Sequence, residues 1–197
     1  NGIVTQVSNP EETAAAVMKL VIDGYAGAGT IESGGYDYHD GTRATGEVRD
    51  FLAGQMIGAC LEFAARSNQQ LMLYVFSDGA LDSDGVIDNS VDGRGKGAWR
   101  GDNSSTAASI IFVFDPAGRP ALVGPGAQIG YYRDEGSIET AATRVSNNVT
   151  LLAQSIVLNY MALHNDVGNF DNVLPGHGLG ATAGDLDALI AFAPVRP

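Results

Sequence analysis

Two uninterrupted apolar runs constrain this chain more than any other feature: Leu71-Met72-Leu73-Tyr74-Val75-Phe76 and Ala107-Ala108-Ser109-Ile110-Ile111-Phe112-Val113-Phe114. Both have the length of a strand and neither alternates polar with apolar residues, the pattern of strands covered on both faces. The first ends in Ser77-Asp78-Gly79, a polar loop at the strand's C-terminal end, which is where open α/β sheets build their sites. Asn9, Pro10, Glu11 and Glu12 read as a helix start, with the helix running to Asp23 and stopping at Gly24. Val48, Leu52, Met56, Ala59, Cys60 and Phe63 recur at helical spacing and predict a long amphipathic helix over 42–67. The same spacing in Ile138, Ala142, Val145, Val149, Leu152, Ile156 and Leu163 predicts another over 137–164. Short strands are expected at 29–33 and at 121–123, the latter as a hairpin after the Asp115–Pro120 turn, and a short helix over 183–192. The expected fold is therefore a single α/β domain over 1–197: a doubly wound, mostly parallel sheet covered by helices, with a small hairpin and a long acidic, Gly-rich loop over 77–105.

The charge balance restricts the partners. With 11 Lys and Arg against 23 Asp and Glu, the chain carries a net charge of −12, so nucleic acid is repelled and cations or cationic surfaces are favoured. No apolar stretch reaches the length that spans a bilayer. A start at Asn1, few lysines and loops rich in Gly, Asn, Ser, Thr and Asp suggest an exported, extracytoplasmic protein whose signal segment has been removed. Cys60 has no partner for an internal disulfide and reads as a small buried residue.

Three groups of residues are candidates for chemistry. Asp37 and His39, two residues apart in a loop, can face one cation, with Asp40 as a further oxygen donor. Asp82, Asp84, Asp88 and Asp92, with Gly85 and Ile87 between them, follow part of a calcium-loop pattern, although Ala80 and Val91 stand where its first and last ligands belong. Asp102, in Arg100-Gly101-Asp102 before the second apolar run, can join Asp37 and Asp78 at strand-adjacent loops. Each group has a plainer reading as a solvated polar turn. His164 is expected to end the long helix, where a cation complements the helix dipole, and His177 lies in a Gly-rich turn. No nucleophile elbow, Walker loop, paired-cysteine motif or His-Glu-x-x-His helix is present, and no nucleotide or organic cofactor is expected.

In order, Gly34-Gly35-Tyr36-Asp37-Tyr38-His39, the 42–67 helix, the strand leading into Ser77-Asp78-Gly79-Ala80-Leu81, and Gly101-Asp102-Asn103 resemble a family of exported bacterial proteins of uncharacterised function. Many of its members carry twin-arginine signals, and the family is related to the alkaline phosphatase and sulfatase superfamily. At the matching positions it has Gly-Gly-Trp-Asp-Thr-His, Ser-Glu-Phe-Gly-Arg and Thr-Asp-His-Gly. The resemblance spans residues 15–115 and implies an alkaline-phosphatase-like sheet with metal ligands at strand ends, here Asp37, His39, Asp78 and Asp102. This chain departs from the pattern at Gly79-Ala80-Leu81 and Asn103, and residues 1–10 hold no strand to supply the superfamily's nucleophile. A two-metal hydrolase needs more ligands than these four.

The expectation is thus a non-catalytic, extracytoplasmic scaffold of alkaline-phosphatase-like descent: a surface, filament-forming or binding protein that self-associates, with at most one divalent cation, calcium first. The alternatives are a divergent metal-dependent phosphate or sulfate ester hydrolase, and a calcium-stabilised adhesion or carbohydrate-binding module.

Overall fold

The computed structural model describes residues 10–36, 43–76, 80–103, 109–124, 128–134 and 137–195. Helix α1 (Pro10–Ile22) and helix α2 (Arg43–Arg66) lead into strand β1 (Leu71–Phe76). Strands β2 (Ala80–Asp88), β3 (Lys96–Asn103) and β4 (Ser109–Phe114) follow, then α3 (Val149–Leu163), a 3₁₀ turn at Val167–Asn169, α4 (Phe170–Val173) and α5 (Ala183–Asp187).

The two apolar runs do form strands, but the doubly wound, alkaline-phosphatase-like parallel sheet is not what the chain builds. β1 pairs antiparallel with β4, from Leu71 opposite Phe114 to Phe76 opposite Ser109, and β2 pairs antiparallel with β3 in a separate two-stranded ladder. The cause is the connection. Parallel neighbours need a crossover of a dozen or more residues, usually a helix, whereas the segment expected as a loop over 77–105 contains the β2–β3 hairpin. Its register shifts between Ala80 and Asp82 and between Ser83 and Ile87. The expected strand at 29–33 is absent; the backbone there is irregular.

Helix α1 ends as its sequence demands. Gly24 adopts φ +78°, a conformation that suits glycine, and Tyr25 N–H reaches back to Leu20 C=O at 2.9 Å. Asn9, its expected cap, lies outside the described residues. Ala14, Val17 and Met18 of α1 and Cys60 and Ala64 of α2 are buried where the two helices pack. The N-terminal half of the α2 stripe is not buried: Val48 and Leu52 are exposed, and so is Phe51 between them.

The helix expected over 137–164 begins only at Val149. Asn148 caps it by accepting the Leu151 N–H at 2.9 Å, and Asn147 before it has φ +53°. Both conformations break helical propagation toward residue 137. Ile138 and Val145 are nevertheless buried, reached through turns in which Ser146 Oγ accepts the Thr143 N–H at 2.9 Å. The main core gathers around α3: Val145, Leu152, Leu158, Met161, Phe170, Leu179 and Leu189. Residues 121–123 do not pair back on β4 as a hairpin. Leu122 bridges Phe192 instead, with Val123 N–H on Ala191 C=O and Ala193 N–H on Ala121 C=O, both 2.9 Å. The last described residues are fastened to α3 through Val195 N–H and Leu163 C=O at 2.9 Å.

Candidate functional site

Of the first candidate ligand set, Asp37, His39 and Asp78 lie outside the described residues, and Asp102 is a backbone position on β3.

The acidic series is spread along a hairpin. Asp82 and Asp84 sit on β2, Asp88 closes that strand, and Asp92 lies in the turn beyond. At the usual rise per residue, Asp82 and Asp88 are roughly 15 to 20 Å apart along the backbone. Asp88 has a local task instead: its Oδ1 accepts the Ser90 N–H at 2.9 Å, and its carbonyl accepts the Gly95 N–H at 2.9 Å. Gly93 is packed so tightly against Asp88 that a Cβ there would overlap the carboxylate. The hairpin is tied to α2 by Lys96 Nζ donating to Glu47 Oε1 at 2.6 Å. A shallow cavity of about 300 Å³ separates the two elements, lined by Ala44, Glu47, Val48, Phe51, Asp92 and Arg94. Among the described residues no three His, Cys, Asp or Glu side chains converge as metal ligands do.

The histidines have structural surroundings. His164 is the C-cap of α3, as its position suggests, and its ring lies 4.6 Å from that of Tyr160. His177 is tucked against Phe170, ring centroids 4.7 Å apart. Its Nδ1 accepts the Leu179 N–H at 3.2 Å, which places the proton of the neutral ring on Nε2, donating to Asp171 Oδ1 at 2.7 Å. Both ring nitrogens are thus committed to holding the 171–179 turn. Cys60 is buried, and desolvation pushes its thiol pKa up, disfavouring the thiolate that reacts.

What the structure exposes is apolar surface. On one face of the β1–β4 ribbon lie Leu71, Leu73 and Val75 with Phe114, Phe112 and Ile110; on the other, Met72, Tyr74 and Phe76 with Val113 and Ile111. Helix α2 packs against both strands, yet none of these residues is fully buried; Phe76 on one face is 64% exposed and Ile110 on the other 56%. Tyr74 and Phe76 stack at 4.9 Å. Each strand pairs only with the other, so both outer edges of the ribbon are open among the described residues. A second apolar feature is a groove of about 440 Å³ beside α3, lined by Val149, Thr150, Ala153, Gln154, Val157 and Leu174. Reading the apolar runs as strands covered on both faces hid this surface.

The chain matches no family model, no curated protein and no solved structure. Among the described residues no helix is long and apolar enough to cross a membrane.

Proposed function

We propose that the chain is a non-catalytic scaffold, working outside the cytoplasm, that acts by self-association through the β1–β4 ribbon. One observation carries this reading: a two-stranded ribbon of twelve residues, eleven of them apolar, open at both edges among the described residues and incompletely covered on both faces. Such a ribbon is marginal alone, and a long, uncharged, Pro-free edge is a template for pairing with another chain. The fitting partner is a second copy, because the chain already contains the complement of each strand: β4 matches β1 residue for residue over six pairs. Adding the edge of one copy to that of another satisfies the outward backbone groups and continues both apolar faces across the joint.

The test is the native mass by light scattering across a range of concentrations. The expected result is a species heavier than the 20.4 kDa chain, which shrinks when Phe76→Lys and Ile110→Lys are introduced together while far-ultraviolet circular dichroism is unchanged. A 20.4 kDa monomer at every concentration would overturn the reading. So would a metal-loaded monomer that cleaves phosphate or sulfate esters.

A further inference from the structure

We propose that His177 is a proton-operated latch: its neutral ring holds the 171–179 turn closed over the α3 core, and uptake of a proton releases the turn. The latch uses no residue of the β1–β4 ribbon, so it stands or falls separately from the self-association proposed above.

Side-chain hydrogen bonds close the turn. Leu179 N–H donates to His177 Nδ1 at 3.2 Å, Nε2–H donates to Asp171 Oδ1 at 2.7 Å, and Gly178 N–H donates to Gln154 Oε1 of α3 at 2.9 Å. The chain lies so close to α3 there that a Cβ on Gly178 would overlap Leu151 Cδ2, and Gly176 makes the bend with φ +74°. Closed, the turn lays the His177 ring against Phe170 and seals Leu179, both of them buried.

The closed form has room for one ring proton only. A second would sit on Nδ1, where it meets the Leu179 N–H: two donors then face each other with no acceptor between them. The side chain is only 5% exposed, so the conflict is not relieved by water while the turn stays shut. Outside the turn an imidazolium is hydrated on both nitrogens. Asp171 pulls the other way, because a carboxylate favours a charged ring beside it. Its pull is weak: the Asp171 side chain is 85% exposed and screened, and the neutral ring already makes the Nε2–H bond to it. The remaining surroundings carry no charge, with Phe170 and Leu179 at the ring and Leu151 and Gln154 facing the turn from α3. Acid therefore favours the open turn, which takes the proton without setting donor against donor. Imidazoles gain their proton near neutral pH, above the range in which exposed carboxylates do.

Hydrogen exchange of the full chain tests the latch, read by mass spectrometry between about pH 8 and about pH 5 and corrected for the intrinsic pH dependence of exchange. Protection at Gly178 and Leu179 should fall about tenfold across that range, while the α3 amides from Ser155 to Leu163 keep theirs. His177→Asn supplies an oxygen to accept the Leu179 N–H but does not titrate, and should abolish the fall. Asp171→Asn keeps an acceptor for Nε2–H without the charge, and should move the fall to higher pH; it decides the matter alone if His177→Asn does not fold. Unchanged protection in the wild type, a fall shared by α3, a fall that persists in His177→Asn, or an unmoved midpoint in Asp171→Asn would each overturn the latch.

Discussion

The β1–β4 ribbon and the α3 region are about equally apolar in sequence, yet they bury their side chains to different depths. Around α3, Val145, Leu158, Phe170 and Leu179 are sealed from solvent by turns, short helices and the 189–195 segment. In the ribbon no residue reaches that state, and Phe76 and Ile110 remain mostly exposed. The difference lies in the number of layers, since apolar residues are buried only when something lies on every side of them. The fastenings differ too. Asn159, fully buried, donates to Ser155 C=O and Leu189 C=O at 2.9 Å each and accepts the Ala191 N–H at 2.8 Å. In the N-terminal half, solvent-exposed ion pairs such as Lys19–Asp23 and Arg66–Glu62 add little to the small α1–α2 core, because solvent screens them. One half is built to stand alone; the other presents surface.

The most forceful way to break this comparison is to make the same change in both halves. Phe170→Ala empties a fully buried site and should cost about 3–5 kcal/mol in urea unfolding. Phe76→Ala, at an exposed site, should cost less than about 1 kcal/mol in the isolated chain. Similar losses at both positions would show that the ribbon is as well covered as the core. A smaller effect separates polar fastening from packing. Asn159→Leu keeps the branched shape but leaves the Ala191 N–H and the Leu189 carbonyl without their side-chain partner. A loss of about 1–3 kcal/mol is expected, with amide exchange accelerating at Ala191 before the rest of the core. Unchanged protection at Ala191 would mean that Asn159 is not what holds the 189–195 segment.

Local signals in the sequence were read well. Gly24 stops α1, α2 begins and ends within one residue of the expected bounds 42 and 67, and both apolar runs form strands. Pairing was not legible, because nothing in Leu71–Phe76 or Ser109–Phe114 encodes whether its neighbour runs parallel. That depends on whether 77–108 crosses over or turns back, and the turn around Asp88, Ser90 and Gly93 that reverses the chain lay in a stretch expected as one long loop. The periodicity over 137–164 misled for a related reason. Apolar spacing records which residues are buried, and Ile138 and Val145 are buried without being helical. Asn147-Asn148 carried the stop signal inside that pattern. As for the site, spacing along the chain brought Asp82, Asp84 and Asp88 close in sequence, and extension of β2 separates them. The α2 ridge was visible as part of a stripe, but only the packed structure shows that its first half faces solvent.

The smallest expected effect is acid sensitivity, and it too divides the halves. Glu139 is held below the usual carboxylate range first by its bond from Arg133, then by the Ala141 and Thr140 backbone N–H groups. Asp185 is lowered first by the Thr182 side chain and then by the Thr182 N–H, within a capping box at the start of α5. A carboxylate with a depressed folded-state pKa binds fewer protons folded than unfolded. Its contribution is complete above the unfolded value, about 4 for these residue types, and is lost as pH falls through the lower folded value. Both groups belong to the C-terminal half, so acid should loosen the 131–141 turn and the α5 cap by lowering their exchange protection below about pH 4. Glu139→Gln together with Asp185→Asn should flatten that acid limb while leaving protection at neutral pH only slightly reduced, because both groups are partly exposed and the amides keep hydrogen-bond acceptors in place. An acid limb as steep in the double variant as in the wild type would assign it to other carboxylates, and the claim that the C-terminal half is fastened by its own ionised turns would fail.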